Sequence, residues 1–119
     1  MTTKEVAARL HALSAEGKFE AAQNELFSKD AISIEQEASP GFEKETKGLP
    51  AIIEKGHAFE SMVEAVHGIK VSDPIVAGNA IALTLDMDVT MKGRGRSNMS
   101  EVCVYQVKDG KIISEEFFM

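Results

Sequence analysis

From Ala80 to Met91 the chain alternates without a break. Ile81, Leu83, Leu85, Met87, Val89 and Met91 fall on one face, and Ala82, Thr84, Asp86, Asp88 and Thr90 on the other. A period of two over such a run marks a strand with one face in a core and the other outside. Strand signals continue downstream. Lys92-Gly93-Arg94-Gly95 reads as a hairpin tip, Asn98 to Val107 as a further strand, Asp109-Gly110 as a tight turn, and Lys111 to Phe118 as a closing strand. Upstream, Val66 to Val71 with Ile75-Val76 read as one strand bent near Asp73-Pro74, and Ala77-Gly78-Asn79 turns the chain. The closing strand carries apolar residues on both faces. Ile113, Glu115 and Phe117 share one face, Ile112 and Phe118 the other, so alternation leaves both registers open.

A sheet with one apolar face needs a cover. The first half of the chain supplies it. Thr2 and Glu5 have the spacing of a capping box, followed by Val6, Leu10 and Leu13 on one helical face. Gly17 interrupts the pattern, and Phe19, Ala22, Leu26 and Phe27 restart it, which predicts a helical hairpin. Ile32 and Ile34 alternate with Ser33, Glu35 and Glu37 in a predicted strand over 31–37. Residues 38–48, punctuated by Ser39-Pro40-Gly41, read as a loop. Pro50 suits a first helical position, and Ile52, Ile53, Phe59, Met62, Val63 and Val66 follow at mostly helical spacing. The order α-α-β-α-β-β-β-β predicts an α+β domain with a mostly antiparallel sheet.

Composition narrows the function classes. The chain has 119 residues, with 13 Lys and Arg against 19 Asp and Glu, for a net charge of -6. That length suits one domain over 1–119. An acidic chain lacks the concentrated positive field that nucleic acid requires. The single cysteine, Cys103, cannot form an internal disulfide, which fits a reducing cytoplasm. The first residues lack the apolar stretch of a signal peptide, and no run approaches the ~18 apolar residues of a membrane span. His11, His57 and His67 are scattered without metal-ligand spacing, so no metal is expected.

Four segments carry a family resemblance. Leu13-Ser14-Ala15-Glu16-Gly17-Lys18-Phe19 is similar to the junction of the first two helices in the NTF2-like superfamily, in its SnoaL-like and ketosteroid-isomerase-like branch. Leu26-Phe27-Ser28-Lys29-Asp30-Ala31 resembles that branch's approach to the first strand. Gly48 to Ile53 resembles the opening of the third helix, and Tyr105 to Ile112 the last hairpin. The resemblance implies a cone, in which a curved sheet wraps the helices and leaves a pocket at its open end. It also implies a homodimer packed through the outer sheet face. Relatives of this kind include isomerases, cyclases, dehydratases, epoxide hydrolases and non-catalytic binding proteins, so fold alone does not assign function.

The resemblance also points to residues. Glu35 matches the catalytic carboxylate of the isomerases, at the mouth of an apolar pocket where the charged form is disfavoured. Its alternative is a polar residue on a solvated strand face. The oxyanion-binding tyrosine is matched by Arg9 and the protonated aspartate by Cys103, so steroid isomerisation is not expected. Glu101, Cys103 and Tyr105 share a strand face that the match turns toward the pocket. Glu101 and Tyr105 are candidate acid/base partners or ligand anchors. Cys103, on that face, is a candidate ligand contact and reads as a small buried residue rather than a nucleophile. Glu115, if inward, must be paired, neutral or functional. His57 is a candidate pocket donor, with a solvated histidine as the alternative. Phe59, Met62, Leu85, Met87 and Phe117 would form an apolar wall. Asp86 and Asp88 lie opposite the apolar stripe and are expected outside. Lys92, Arg94 and Arg96 read as a solvated tip, and Gly93-x-Gly95 lacks the context of a nucleotide loop.

These readings converge on a small, largely apolar or amphipathic ligand in the cone, with isomerase-, dehydratase- or cyclase-type chemistry on Glu35 and no separate cofactor. The competing expectations are a non-catalytic carrier or sensor, and a protein-interaction module using the outer sheet.

Overall fold

The computed structural model describes residues 1–39 and 42–119. Helix α1 spans Thr3–Ala15 and opens with the expected capping box: Glu5 N donates to Thr2 Oγ1 at 3.1 Å, and Thr2 N donates to Glu5 Oε1 at 2.8 Å. The turn into α2, Phe19–Leu26, is made at Gly17 with φ +75, a conformation that glycine adopts without strain. The Gly17 and Lys18 amides close the helix end on the carbonyls of Ser14 and Leu13.

Strand β1 covers Phe27–Ile34, β2 Glu45–Lys47, β3 Val63–Val71, β4 Ile75–Ala77, β5 Ala80–Met91, β6 Gly95–Lys108 and β7 Lys111–Phe118; helix α3, Leu49–Met62, lies between β2 and β3. They form a seven-stranded, curved and unclosed sheet in the order β2-β1-β7-β6-β5-β3, with β4 also on β5. Among the described residues, only β1 and β7 pair in parallel. The α+β cone expected from the sequence is therefore present.

Several boundaries differ. The first strand begins at Phe27, not Ala31, because Phe27 turns straight from the helix into pairing with Ile112. The 38–48 loop holds β2, paired with β1, and a bridge between Ser39 and Phe42; Pro40 and Gly41 lie outside the described residues. Helix α3 stops at Met62, so Val63 and Val66 belong to β3. The single bent strand is two, β3 and β4, which both use β5 as partner on either side of Asp73-Pro74.

The core sits where the α1–α2 hairpin and α3 meet the concave face. Val6, Leu10, Leu26, Ile52, Ile81 and Ile112 are its buried centre. The long run of β5 behaves as its alternation requires. Ile81, Leu83, Val89 and Met91 are buried, whereas Asp86 and Asp88 lie on the convex face, where Asp88 takes a two-point contact from Arg96 and Asp86 accepts from the Ser100 hydroxyl.

The last strand resolves its ambiguity in an unexpected way. Tyr105 faces Glu115 and Gln106 faces Ser114, but Val107 faces Ile112. Ile113 is the extra residue of a β-bulge. Parity switches there, so Ile112 and Glu115 are both buried although three positions apart. Each of the two registers is realised on its own side of the bulge, and Phe118 is left on the outside.

Candidate functional site

The concave face and the three helices enclose an open-ended cavity of about 720 Å³. Register gives it two unlike walls. On one side stand the apolar residues of β5 and β3: Leu83, Leu85, Met87, Ile69 and Val71. On the other stand Glu35, just past β1, Glu115 of β7, and Glu101 and Tyr105 of β6. The polar wall follows from β1, where Ser33 is buried and its isoleucine neighbours Ile32 and Ile34 are only half-buried. Ser33 lies beside Glu115 in the parallel β1–β7 ladder, and Glu35 follows one position past the end of β1.

Helix α3 adds a cation. Lys55 Nζ donates to Ser33 Oγ at 2.7 Å and to Glu35 Oε2 at 3.2 Å, and lies 5.4 Å from the centroid of the Phe117 ring. Its side chain is 16% exposed and that of Glu35 28%. Sequence reasoning missed Lys55, yet a signal was there. Ile52, Lys55, Phe59 and Met62 recur at helical spacing, so a lysine sits on the stripe that faces the sheet.

Burial governs the carboxyls. Glu115 is 4% exposed, and desolvation pushes its carboxyl up to about 7, against the lowering effects of the Ser33 hydrogen bond and the Lys55 charge. Glu101 is pushed up to about 7, first by burial and then by the negative charge of Glu35. Both acids therefore exchange protons near neutrality. Tyr105 and Cys103 are shifted far upward, chiefly by burial, and remain neutral. The Tyr105 ring meets Phe27 edge-on, with centroids 6.5 Å apart. Tyr105 is buried in the core and also belongs to the cavity lining.

Most of the expected residues are brought together. Glu35, Glu101, Tyr105 and Glu115 line the cavity, as do Phe59, Met62, Leu85, Met87 and Phe117. Two do not. His57 is on the outer side of α3, exposed, with Glu20 and Glu54 as partners that raise its basicity. One helical turn past Ile53 lies on the wrong side of the helix for a pocket donor. Cys103 is fully buried and absent from the lining; its Sγ lies 3.8 Å from Glu101 Oε1, so it backs a lining acid instead of meeting a ligand. The expected apolar surroundings of Glu35 are corrected by Lys55. Arg9, matched to an oxyanion position, sits outside and pairs with Glu25 at 2.7 Å. Arg94, read as part of a solvated tip, reaches the cavity lining. Among the described residues, no group of three His, Cys, Asp or Glu is placed to hold a metal ion, and no helix is long and apolar enough to cross a membrane.

Comparison with known proteins agrees with the geometry. A family model described as SnoaL-like domain matches residues 1–119. A solved structure from Mesorhizobium loti, designated a candidate SnoaL-like polyketide cyclase and also a carbohydrate phosphatase, is 34% identical, with all of both chains covered and a TM-score of 0.92. An NTF2-like protein of unknown function from Burkholderia pseudomallei is 14% identical, with 100% of this chain and 92% of that one covered and a TM-score of 0.81. TerC, co-crystallised with polyporic acid, is 16% identical, with 98% and 90% covered and a TM-score of 0.78. At such low identity the last two show the fold alone. No curated protein matches the chain.

Proposed function

The chain belongs to the SnoaL-like family, and from that premise we propose that it binds a small, largely apolar molecule in the cone and moves a proton on it. The observation that carries this reading is the contrast between the walls: an apolar Leu and Met face opposite three carboxyls and one ammonium. An apolar wall sequesters a hydrocarbon skeleton. A polar wall with one paired carboxylate and two acids titrating near neutrality supplies both a base and an acid. Glu35 takes a proton from carbon, and the electron pair of the broken C–H bond passes into the ligand's conjugated system. Neutral Glu101 returns a proton elsewhere, and Tyr105 orients the ligand. This is isomerase-, dehydratase- or cyclase-type chemistry, and the designation of the Mesorhizobium relative as a candidate cyclase supports the same class. We place the protein in the cytoplasm, with its buried thiol reduced, and as a homodimer whose contact includes the exposed neighbours Val102 and Phe118 of the convex face.

The test uses β-tetralone, an enolisable aromatic ketone, in heavy water. Exchange of its acidic C–H for deuterium, followed by NMR, is expected above the buffer rate and to fall about 10²-fold or more in Glu35→Gln. Binding of β-tetralone with no exchange above buffer would remove the catalytic reading and leave a carrier.

A further inference from the structure

We propose that Lys55 is the receptor in the cavity for an anionic oxygen of the ligand, an enolate or phenolate. The inference rests on the ligand-binding reading above and names the chemistry of the ligand's polar edge.

The ammonium of Lys55 has three N–H donors. Two are directed to Ser33 Oγ and Glu35 Oε2, at 2.7 and 3.2 Å. Among the described residues, no acceptor is recorded for the third. The group lies over the Phe117 ring in the cavity lining. A largely buried ammonium in the lining of a 720 Å³ cavity, with a third N–H beyond these two contacts, can donate to an oxygen of a ligand.

Its partners also fit the charge movement. With Glu35 ionised, Lys55 has a carboxylate beside it. When Glu35 takes a proton from a ligand carbon, the carboxylate becomes a neutral acid and the negative charge reappears on the enolate oxygen. One proton moves, one negative charge moves, and no other reactant is needed. Lys55 then exchanges one anionic neighbour for another, so its charge is balanced before and after. Stabilisation that appears as the ligand oxygen gains charge is the kind that accelerates the step. Arg9 and Cys103 supply no such donor to the cavity, because Arg9 is outside and Cys103 is covered. A lysine ion-paired with Glu35 acts as a hydrogen-bond donor, which separates this role from imine formation.

The test uses β-naphthol, whose phenolate absorbs at longer wavelength than the neutral phenol. It has an ionisable oxygen and needs no catalysis. Bound to the native protein, its ionisation midpoint is expected to fall by about one to three pH units from the free value. In Lys55→Met the shift should vanish, and in Lys55→Arg most of it should return. Glu35→Gln supplies an independent check that does not depend on the lysine variants folding. With its competing carboxylate removed, Lys55 should bind the phenolate more tightly, and the midpoint should fall further. Displacement of an anilinonaphthalene dye from the cavity, read by fluorescence, establishes that β-naphthol is bound there. If it is bound and its midpoint is unchanged from free solution, or unmoved between native and Lys55→Met, the role of Lys55 is overturned while the cavity reading stands. If it does not displace the dye, both are overturned.

Discussion

Glu115 makes the fold sensitive to alkali, and the size of the effect follows from its burial. The carboxyl ionises near its ordinary value of 4.5 in the unfolded chain but near about 7 in the fold, where it is 4% exposed. Below 4.5 both states hold the proton and Glu115 costs nothing. Between those values the fold keeps a proton that the unfolded chain has shed, so stability falls as pH rises. Above about 7 the full cost of a buried carboxylate is present. At about 1.4 kcal/mol per pH unit, this amounts to roughly 3 kcal/mol. Glu115→Gln keeps the shape and a hydrogen bond to Ser33 but cannot ionise. Urea unfolding of both proteins at about pH 5 and about pH 8.5 should show the variant gaining on the native protein by roughly 2.5 kcal/mol between the two conditions. Glu101 contributes a slope of the same sign. It is common to both proteins and largely cancels in the difference. Parallel pH dependences in the two proteins would refute the reasoning, because they would mean that Glu115 is not held protonated by the fold.

Other consequences are open to direct measurement. The Cys103 thiol, buried and shifted upward, should react with a disulfide reagent only as fast as the protein unfolds; rapid labelling at neutral pH would show an opening absent from the fold. Gly17→Ala should destabilise by about 1–2 kcal/mol in urea, since its φ of +75 opposes a side chain and the new Cβ would lie 3.2 Å from Ile69 Cδ1. Ile112→Ala, at a fully buried position beside the bulge, should cost about 2–5 kcal/mol. Val102→Asp should convert a dimer to a monomer in sedimentation without loss of stability; a native protein that sediments as a monomer would remove the dimer proposal.

Much of the fold could be read from local chemistry, because its signals are local. The capping box of Thr2 and Glu5, the reversal at Gly17 and the Asp109-Gly110 turn, with φ of 52 and 76, each depend on a few neighbouring residues. The alternation of β5 is long enough to fix which face is inside. The site was less legible. His57 and Lys55 lie two positions apart on one helix, and residue type alone favours the histidine as a pocket donor. Its angular position is wrong, whereas Lys55 shares the Ile52, Phe59 and Met62 face. The Glu35–Lys55 pair carries no local sequence signal, because the two are 20 residues apart and meet through the packing of α3 on β1.

The bulge at Ile113 ties the fold to the chemistry. Without it, a β7 paired through Val107 and Ile112 would continue with Ser114 and Glu116 on the concave face, and Glu115 would point outward. The cavity would then lose the acid that Ser33 contacts, and Phe117 would leave the face where Lys55 lies against it. The same extra residue lets Ile112 remain in the core below the site. A strand obeying strict alternation must give up either the core isoleucine or the inward glutamate. The bulge keeps both, at the cost of a locally disrupted ladder. Its position one residue above Ile112 divides the strand into a lower part that stabilises the cone and an upper part that equips it. Deleting Ile113 removes the extra residue and sets Ser114 opposite Gln106 and Glu115 opposite Tyr105 directly after Ile112, so Ile112 and Glu115 should both stay inward and the pH-dependent cost of Glu115 should persist. Urea unfolding of that deletion across the same pH interval should show a slope close to the native one. A slope reduced toward that of Glu115→Gln would refute the register argument, because it would mean that alternation from Ile112 does not carry Glu115 inward.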